Sequence, residues 1–500
     1  MFTSMLRKSV LSGLATGPNV FGSTAAAQML LDAANGVDAI DVITIGDSNA
    51  MYPGANGYHM GWHRALQFGL RIKPYGTSLF SGGMFNPAVG QTSTAQGTPV
   101  NQAGIGMLAG SSAVTTVAVG NSPSACKMMA QNTDTEIVGL RNYLGMSISD
   151  LTNSTSNSLL STNGFGVNPV VVESSTRFTT TYDNNVHVSN QTVADYTSFG
   201  LESTFGTDGN GAGVTLTYRL VYGTFPSAGS FRPVWYWLPG GGVGKRETGD
   251  TTTGGGYGYA TQSYTYAPTF NTSSQKGLRV SWDGYNSATT AHQALGPFAA
   301  LWHSVINTAI RGYSVSNLIY YGGLTTTQIA NKITGADKLL DAYLKEIRER
   351  QIACGGTGRA IVFLNAGVNI SGQWTTDAQT IVTRIKERWV SSGGTASNLA
   401  FVFTVTHPKT LGSWATARAA VSTAANAWGQ SAGDNVCVVD IGAMIDGPTL
   451  LKYQLYGDGT TDGGQSHLAS IAIPPAASGT MADDGYQIVT SRIVSALLAL

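Results

Sequence analysis

The C-terminal part of the chain alternates between short apolar runs and longer stretches with helical periodicity. We predict strands at 317–321, 360–364, 399–406 and 436–441, and helices at 325–350, 376–389, 414–428 and 485–500. The apolar runs lack polar alternation, which indicates strands buried on both faces. Because strands that alternate with helices usually form parallel sheets, the sequence predicts a doubly wound α/β fold.

A Gly-Asp-Ser turn follows an earlier β-rich run. Residues 41–45 read Asp-Val-Ile-Thr-Ile, and Gly46, Asp47 and Ser48 come directly after them. Glycine allows a tight turn, which presents the serine hydroxyl and leaves the serine N–H free to bind an oxyanion. Ser48 is therefore the candidate nucleophile, although the same three residue types are ordinary turn formers.

A serine nucleophile needs a general base, and the chain has 7 histidines. His467 lies in a polar, glycine-rich loop upstream of the terminal helix, close in sequence to Asp458 and Asp462. A loop histidine beside carboxylates can reach a nucleophile on another loop, so His467 is the best candidate. His59 and His63 fall in the helical stretch expected after Ser48, which favours packing or surface roles.

Asn369 follows the strand predicted at 360–364, within the run Asn365-Ala366-Gly367-Val368-Asn369. Parallel α/β sheets collect their functional groups just beyond the carboxyl ends of their strands. The amide N–H of Asn369 can therefore donate to an oxyanion. Turn formation is the simpler alternative for an asparagine at such a place.

Taken in chain order, these segments resemble the four sequence blocks of the SGNH hydrolases, also called GDSL esterases or lipases. The matching segments are Gly46-Asp47-Ser48, Gly322-Gly323 after the strand at 317–321, Gly367-Val368-Asn369, and His467. Gly323 is the preferred second-block glycine because Leu-Thr-Thr follows it, with Gly322 as the alternative. The resemblance covers roughly residues 36–68 and 297–500.

The resemblance implies a flavodoxin-like hydrolase domain that needs no cofactor or metal. Ser48 would be the nucleophile and His467 its base, and the oxyanion hole would comprise the Ser48 N–H, the Gly323 N–H and the Asn369 side chain. The implied function is a serine esterase that removes acyl groups, O-acetyl in particular, from a surface glycan. The alternative is a structural or receptor- and glycan-binding virion protein with a vestigial esterase fold.

Two departures from the family pattern lie close to this chemistry. Ile370 stands where the family usually has Asp after the third-block Asn, and Gly464 stands where it usually has Asp three residues before the His. Asp462 is the preferred residue to orient His467. Asp458 or a backbone carbonyl are the alternatives.

The predicted domain organisation follows from a change along the chain, from alternating strand and helix patterns to short strand signals without helices. Residues 1–35 form an N-terminal extension, 36–69 and 297–500 the discontinuous hydrolase domain, and 70–296 an insertion. Short strand signals recur in the insertion, at 169–173, 177–182, 186–189, 214–222, 232–238, 263–266 and 278–282. Their spacing predicts an antiparallel β-sandwich, such as a jelly roll.

The charge composition limits the partners. The 28 Lys and Arg balance 28 Asp and Glu, and only 11% of residues are charged, which argues against nucleic-acid binding. No run of apolar residues is long enough for a membrane span. The 63 glycines and low charge are typical of virion or extracellular surface proteins. Expected partners are an acylated polysaccharide or other small ester and other virion proteins, and an oligomer is compatible with this composition.

Overall fold

A computed structural model describes the greater part of the α/β region and several strands of the insertion. The described residues are 20–47, 66, 75–76, 80–81, 126–128, 135–145, 170–172, 216–226, 231–239, 246–248, 255–266, 275–284, 298–320, 325–365, 373–405, 414–445 and 485–499.

The strands and helices alternate in the C-terminal part as predicted. The strands are β1 (Val20–Gly22), β2 (Ile40–Gly46), β3 (Phe80–Ser81), β4 (Cys126–Met128), β5 (Val170–Val172), β6 (Leu216–Thr224), β7 (Phe231–Pro239), β8 (Arg246–Thr248), β9 (Gly258–Tyr266), β10 (Gln275–Gly284), β11 (Phe298–Ile306), β12 (Tyr313–Tyr320), β13 (Arg359–Asn365), β14 (Leu399–Val405) and β15 (Val436–Asp440). The helices are α1 (Ala25–Ala34), α2 (Thr135–Leu144), α3 (Thr326–Gly335), α4 (Asp337–Ala353), α5 (Trp374–Ser391), α6 (Trp414–Ser431), α7 (Ile441–Met444) and α8 (Gly485–Leu498).

The described residues fall into two compact units. The first unit is drawn from Met1–Ile72, Ile319–Thr334 and Arg359–Leu500, and the second from Lys73–Leu318 and Gly335–Gly358. The second unit thus groups α4 with the strands of the insertion. The domain boundaries proposed from the sequence stay a prediction.

The first unit is built on a sheet with the strand order β1-β15-β14-β13-β2-β12, to which β12 contributes Ile319 and Tyr320. Strands β2, β13, β14 and β15 run parallel, with Gly46 opposite Asn365 and Val405 opposite Asp440. Numbered from β2 in chain order, the five strands other than β1 have the order 2-1-3-4-5, which is that of flavodoxin-like folds. The predicted mixed α/β architecture with a parallel sheet is confirmed.

Both faces of this sheet are covered. Every residue of β2, β14 and β15 is buried, which is why these strands read as continuous apolar runs rather than alternating ones. Trp374 at the start of α5 packs edge-to-face against Phe403 of β14, at 5.9 Å between ring centroids, and against Trp428 of α6, at 5.8 Å. These rings join two helices to the central strand, and such pairs add to the stabilisation from buried area.

The N-terminal edge of this unit was not predicted. Residues 20–34, assigned to an extension by sequence, form β1, which pairs antiparallel with β15, and α1, whose Met29 and Leu30 are buried. Gly22 has a φ of +113°, and a Cβ there would lie 2.5 Å from the carbonyl oxygens of Gly429 and Val436. Only glycine fits this close approach of three backbones.

The prediction of one long helix at 325–350 is wrong, because the structure has two helices there, α3 and α4. Gly335 ends the first helix, and Ala336 adopts non-helical backbone angles, φ −120° and ψ 49°, before the second begins. Glycine is a poor residue for a helix interior. The apolar periodicity continues on both sides of the break, so periodicity alone does not reveal it.

The second unit contains antiparallel sheets. One has the order β10-β7-β8, and the other β4-β5-β11-β6-β9, with β3 also paired to β11. Helix α4 belongs to this unit, where buried Glu346 binds Arg219 of β6 through two hydrogen bonds of 2.6 and 2.9 Å. The jelly-roll arrangement stays a prediction, and the strands expected at 177–182 and 186–189 lie outside the described residues.

Two cysteines of the described residues pack as small buried hydrophobes. Cys354 and Cys437 are free and buried, and burial raises the pKa of each thiol to about 12. In the described residues no helix is long and apolar enough to cross a membrane.

Candidate functional site

The residues predicted to carry the chemistry lie outside the described residues. They are Ser48, Gly322, Gly323, Asn369, Asp458, Asp462 and His467, and Ile370 and Gly464 fall outside as well. Their mutual geometry stays a prediction. The structure does describe the strand ends and helix starts that flank four of them.

The strands that lead to Ser48 and Asn369 are neighbours in the sheet. Strands β2 and β13 pair in parallel register, and their last residues, Gly46 and Asn365, stand opposite each other. Ser48 is two residues beyond Gly46, and Asn369 is four residues beyond Asn365. The predicted nucleophile and one predicted oxyanion donor thus follow, in sequence, two adjacent strand ends on the same side of the sheet.

This edge is also the topological switch point of the fold. From β2 the chain continues to β12, which lies on one side of β2, and then to β13, which lies on the other side of β2. Helices that follow neighbouring strands in opposite directions leave a crevice outside the carboxyl ends, where open α/β sheets bind ligands. The crevice expected here is the one next to Gly46 and Asn365.

Asn365, the last residue of β13, has a buried side-chain acceptor, Oδ1, at the carboxyl end of the sheet. The side chain is fully buried; its Nδ2 donates to Thr404 Oγ1 at 2.8 Å, and Thr404 Oγ1 is 3.3 Å from the carbonyl oxygen of Leu364. The described part of the chain provides no hydrogen bond to Asn365 Oδ1. A buried acceptor without a partner is costly and therefore uncommon in native folds, which marks this strand end as unusual.

The start of α3 is set by a capping box directly after the predicted Gly323. Gln328 N–H donates to Thr325 Oγ1 at 3.2 Å, and Thr325 N–H donates to Gln328 Oε1 at 2.9 Å. This reciprocal pairing is the Thr-x-x-Gln form of the motif and fixes where the helix begins. The motif coincides with the start of the helix predicted from residue 325.

The first turns of α3 and α5 are joined by a buried carboxylate. Asp377 Oδ2 accepts hydrogen bonds from Thr326 Oγ1 at 2.8 Å and from Thr327 Oγ1 at 2.7 Å. Asp377 is 5% exposed and Thr326 is fully buried. No local sequence pattern predicts this contact, because the partners are 50 and 51 residues apart.

Asp440, at the carboxyl end of β15, is engaged by several donors. It accepts from Arg418 at 2.6 Å, from Asn426 at 3.2 Å, from Ser422, and from the N–H groups of Gly442 and Ala443, whose helix α7 it caps. Burial alone would raise the pKa of Asp440. The Arg418 charge and the side-chain hydrogen bonds outweigh burial and hold that pKa below its usual range. The carboxylate therefore fastens α6 and α7 to the end of β15.

We expect Asp440→Asn to lower the free energy of unfolding by about 2 kcal/mol at neutral pH, because charge-assisted hydrogen bonds are lost. A carboxyl with a lowered folded pKa stabilises above its unfolded pKa, at about pH 4, and this contribution is lost as the pH falls through the folded pKa. The gap between wild type and variant should therefore shrink towards about pH 3. Urea unfolding at both pH values measures it.

A matched control for this variant is Asp434→Asn. Asp434 pairs with Lys386 but is 45% exposed, and its φ of 49° suits asparagine. We expect it to change stability by less than about 0.5 kcal/mol. A pH-independent gap for Asp440→Asn would contradict the assignment of a charged anchor.

The described residues contain no group of three or more His, Cys, Asp or Glu side chains that could hold a metal ion. Among them, the carboxyl edge of the sheet offers instead hydroxyl, amide and carboxylate side chains, at Thr326, Asn365, Asp377, Thr404 and Asp440.

No family model matches the chain, and no curated protein matches it. Among solved structures it is similar to a peptidoglycan O-acetylesterase, with 12% identity, a TM-score of 0.38, and coverage of 95% of this chain and 96% of that chain. It is also similar to a family two carbohydrate esterase from Clostridium thermocellum in complex with cellohexaose, with 12% identity, a TM-score of 0.22, and coverage of 56% and 89%. For a family two carbohydrate esterase from Cellvibrio japonicus the values are 11%, 0.18, 45% and 79%. TM-scores this low do not establish a shared fold, so the proposals below rest on the residues of this chain.

Proposed function

We propose that this protein is a serine esterase that removes acyl groups, O-acetyl groups in particular, from a surface glycan. The observation that carries the proposal is the pairing of β2 with β13 at the switch point. It attaches the Gly-Asp-Ser turn and the Gly-x-Asn segment to adjacent strand ends, where Gly46 stands opposite Asn365. The flavodoxin-like strand order supports the same site, because that order has its ligand crevice there.

In the proposed mechanism, His467 accepts the Ser48 hydroxyl proton as the oxygen attacks the ester carbonyl carbon. The N–H groups of Ser48 and Gly323 and the Asn369 amide stabilise the negative charge on the carbonyl oxygen by donating hydrogen bonds to it. The intermediate collapses with cleavage of the bond between the carbonyl carbon and the glycan oxygen, and the imidazolium donates its proton to that oxygen, which leaves as a hydroxyl. His467 then accepts a proton from a water molecule as the water attacks the acyl-serine carbonyl carbon. Acetate is released, and the proton returns to the Ser48 oxygen.

Asp462 is the proposed partner that orients His467. Its role is to select the imidazole tautomer and stabilise the imidazolium, and the carboxylate does not take the proton. The displacement of this aspartate from the family position, with Gly464 in its place, is compatible with the assignments of Ser48 and His467. Asp458 and a backbone carbonyl remain the alternatives for this one role.

A second candidate function is that of a structural or receptor-binding virion protein. Such a protein would bind a glycan, and its esterase fold would have no catalytic activity. Ile370 and Gly464 favour it, because both remove a polar residue next to the proposed chemistry. A surface location on a virion or cell fits both functions. It is supported by the 63 glycines and by the low share of charged residues, 11%.

A fluorophosphonate probe tests the proposed function, since it reacts only with an activated serine. We expect stoichiometric labelling of the peptide that contains Ser48, and faster hydrolysis of p-nitrophenyl acetate than of the octanoate ester. Absence of labelling together with retained binding to an acetylated polysaccharide would favour the second candidate. A preference for the long-chain ester would instead indicate a lipase.

A further inference from the structure

The buried carboxylate of Asp377 connects two helices whose preceding strands lie on either side of β2. Helix α3 follows β12 after residues 321–324, and α5 follows β13 after residues 366–372. In the sheet, β12 and β13 lie on opposite sides of β2. The hydrogen bonds from Thr326 and Thr327 to Asp377 therefore join the elements on either side of the strand that leads to Ser48.

The distances place the two helix starts within direct hydrogen-bonding reach of each other. Strands in a sheet are spaced at about 4.8 Å, so β12 and β13 are separated by about 10 Å across β2. This separation is ordinary for packed helices, and both threonine hydroxyls lie within 2.8 Å of a single carboxylate oxygen. Charge-assisted hydrogen bonds of this length in a buried place are strong and directional. They limit how far the two helix starts can separate.

The two connections that end at this contact carry the predicted oxyanion donors. Gly323 is three residues before Thr326, and Asn369 is eight residues before Asp377. Each connection is short, with its beginning attached to a strand end and its end attached to a clamped helix. The strand ends hold the chain before the two proposed donors, and the clamp holds it after them.

We infer that Asp377 is a positioning residue for the oxyanion hole, setting the separation between the Gly323 N–H and the Asn369 amide. The inference rests on the proposed esterase function and adds a residue to it. Asp377 acts through the two connections and does not touch the substrate. Loss of the Asp377 carboxylate therefore weakens binding of the developing oxyanion more than binding of the ground-state ester. The effect of the substitution is a lower kcat with little change in KM.

The test compares Asp377→Ala with Asp377→Asn in the full chain, using p-nitrophenyl acetate well below the melting temperature. We expect Asp377→Ala to lower kcat by about 30-fold, since small misplacements of catalytic groups are costly, with KM changed less than about threefold. Asp377→Asn retains an oxygen that can accept from both hydroxyls. It should restore kcat to within about fivefold of wild type.

The matched control is Asp38→Ala, which removes a buried carboxylate clamp at the opposite edge of the same sheet. Asp38 precedes β2 and accepts from Arg359 at the start of β13, while Arg359 also binds Asp32 at 2.6 Å. We expect this variant to lower Tm and leave kcat within about twofold of wild type. A clamp that only holds the fold together would give the same result at Asp377.

A second variant keeps the inference testable if Asp377→Ala does not fold. Thr327→Val removes one of the two donors at nearly constant shape and should lower kcat by about three- to tenfold, with KM little changed. Wild-type kcat in Thr327→Val, or in a folded Asp377→Ala, would overturn the inference while leaving the esterase proposal intact. A wild-type protein without Ser48 labelling or hydrolysis would overturn both.

Discussion

Replacing Ser48 with alanine is expected to remove esterase turnover, lowering kcat on p-nitrophenyl acetate by about 10⁴-fold or more. The acyl-enzyme cannot form without the hydroxyl, and what remains is hydrolysis assisted only by binding and by oxyanion donors. Labelling by the fluorophosphonate probe should disappear in the same variant. Stopped assays over long incubations would detect the small residual rate.

The control for this variant is Ser431→Ala, at the exposed end of α6, where the hydroxyl donates to the carbonyl of Ala427 at 3.1 Å. It should hydrolyse and label as wild type does. Both variants should melt within a few degrees of wild type, because each removes a single hydroxyl and point substitutions of this size usually change stability little. Hydrolysis by Ser48→Ala at the wild-type rate would show that another group performs the chemistry.

Replacing Asn369 with alanine is expected to lower kcat by about 10²- to 10³-fold, equivalent to about 3–4 kcal/mol of transition-state stabilisation, with KM nearly unchanged. The amide would donate to an oxygen that carries full negative charge only after Ser48 has attacked. The measurement is the separate determination of kcat and KM with acetyl esters. Fluorophosphonate labelling should slow as well, since the phosphoryl oxygen occupies the same donors.

A matched control is Asn35→Ala, which changes an exposed asparagine just after α1, before the amino end of β2. It should leave both kinetic constants as in wild type. An Asn369→Ala variant that raises KM at constant kcat would show instead that the amide binds the ground-state ester. That outcome would remove Asn369 from the oxyanion hole without removing Ser48 from the mechanism.

Much of the parallel sheet could be predicted from the sequence, because its strands are buried on both faces. The apolar runs predicted at 360–364 and 399–406 lie within a residue or so of β13 and β14. The N-terminal elements β1 and α1 were missed. An alanine-rich stretch such as α1 has a strong helix propensity, but its burial depends on packing against a sheet in which every strand except β1 and β2 lies hundreds of residues further along the chain.

The candidate site was predicted in part through its flanking elements. Short motifs point to Ser48 and Asn369 as groups at strand ends, and the structure makes those strands adjacent. The clamp at Asp377 could not be predicted in this way. Threonines and an aspartate in first helical turns are ordinary capping residues, and no local pattern tells which of them meet across the fold.

The sequence by itself determined most strands of the parallel sheet and the helices between them, since hydrophobic periodicity and turn residues act over a few neighbouring residues. Only the tertiary structure decided the order of the strands, the pairing of Gly46 with Asn365, and the joining of α3 to α5 through Asp377. Those features depend on burial and hydrogen bonding between residues far apart in the chain. Their free energy arises only when the whole sheet has assembled.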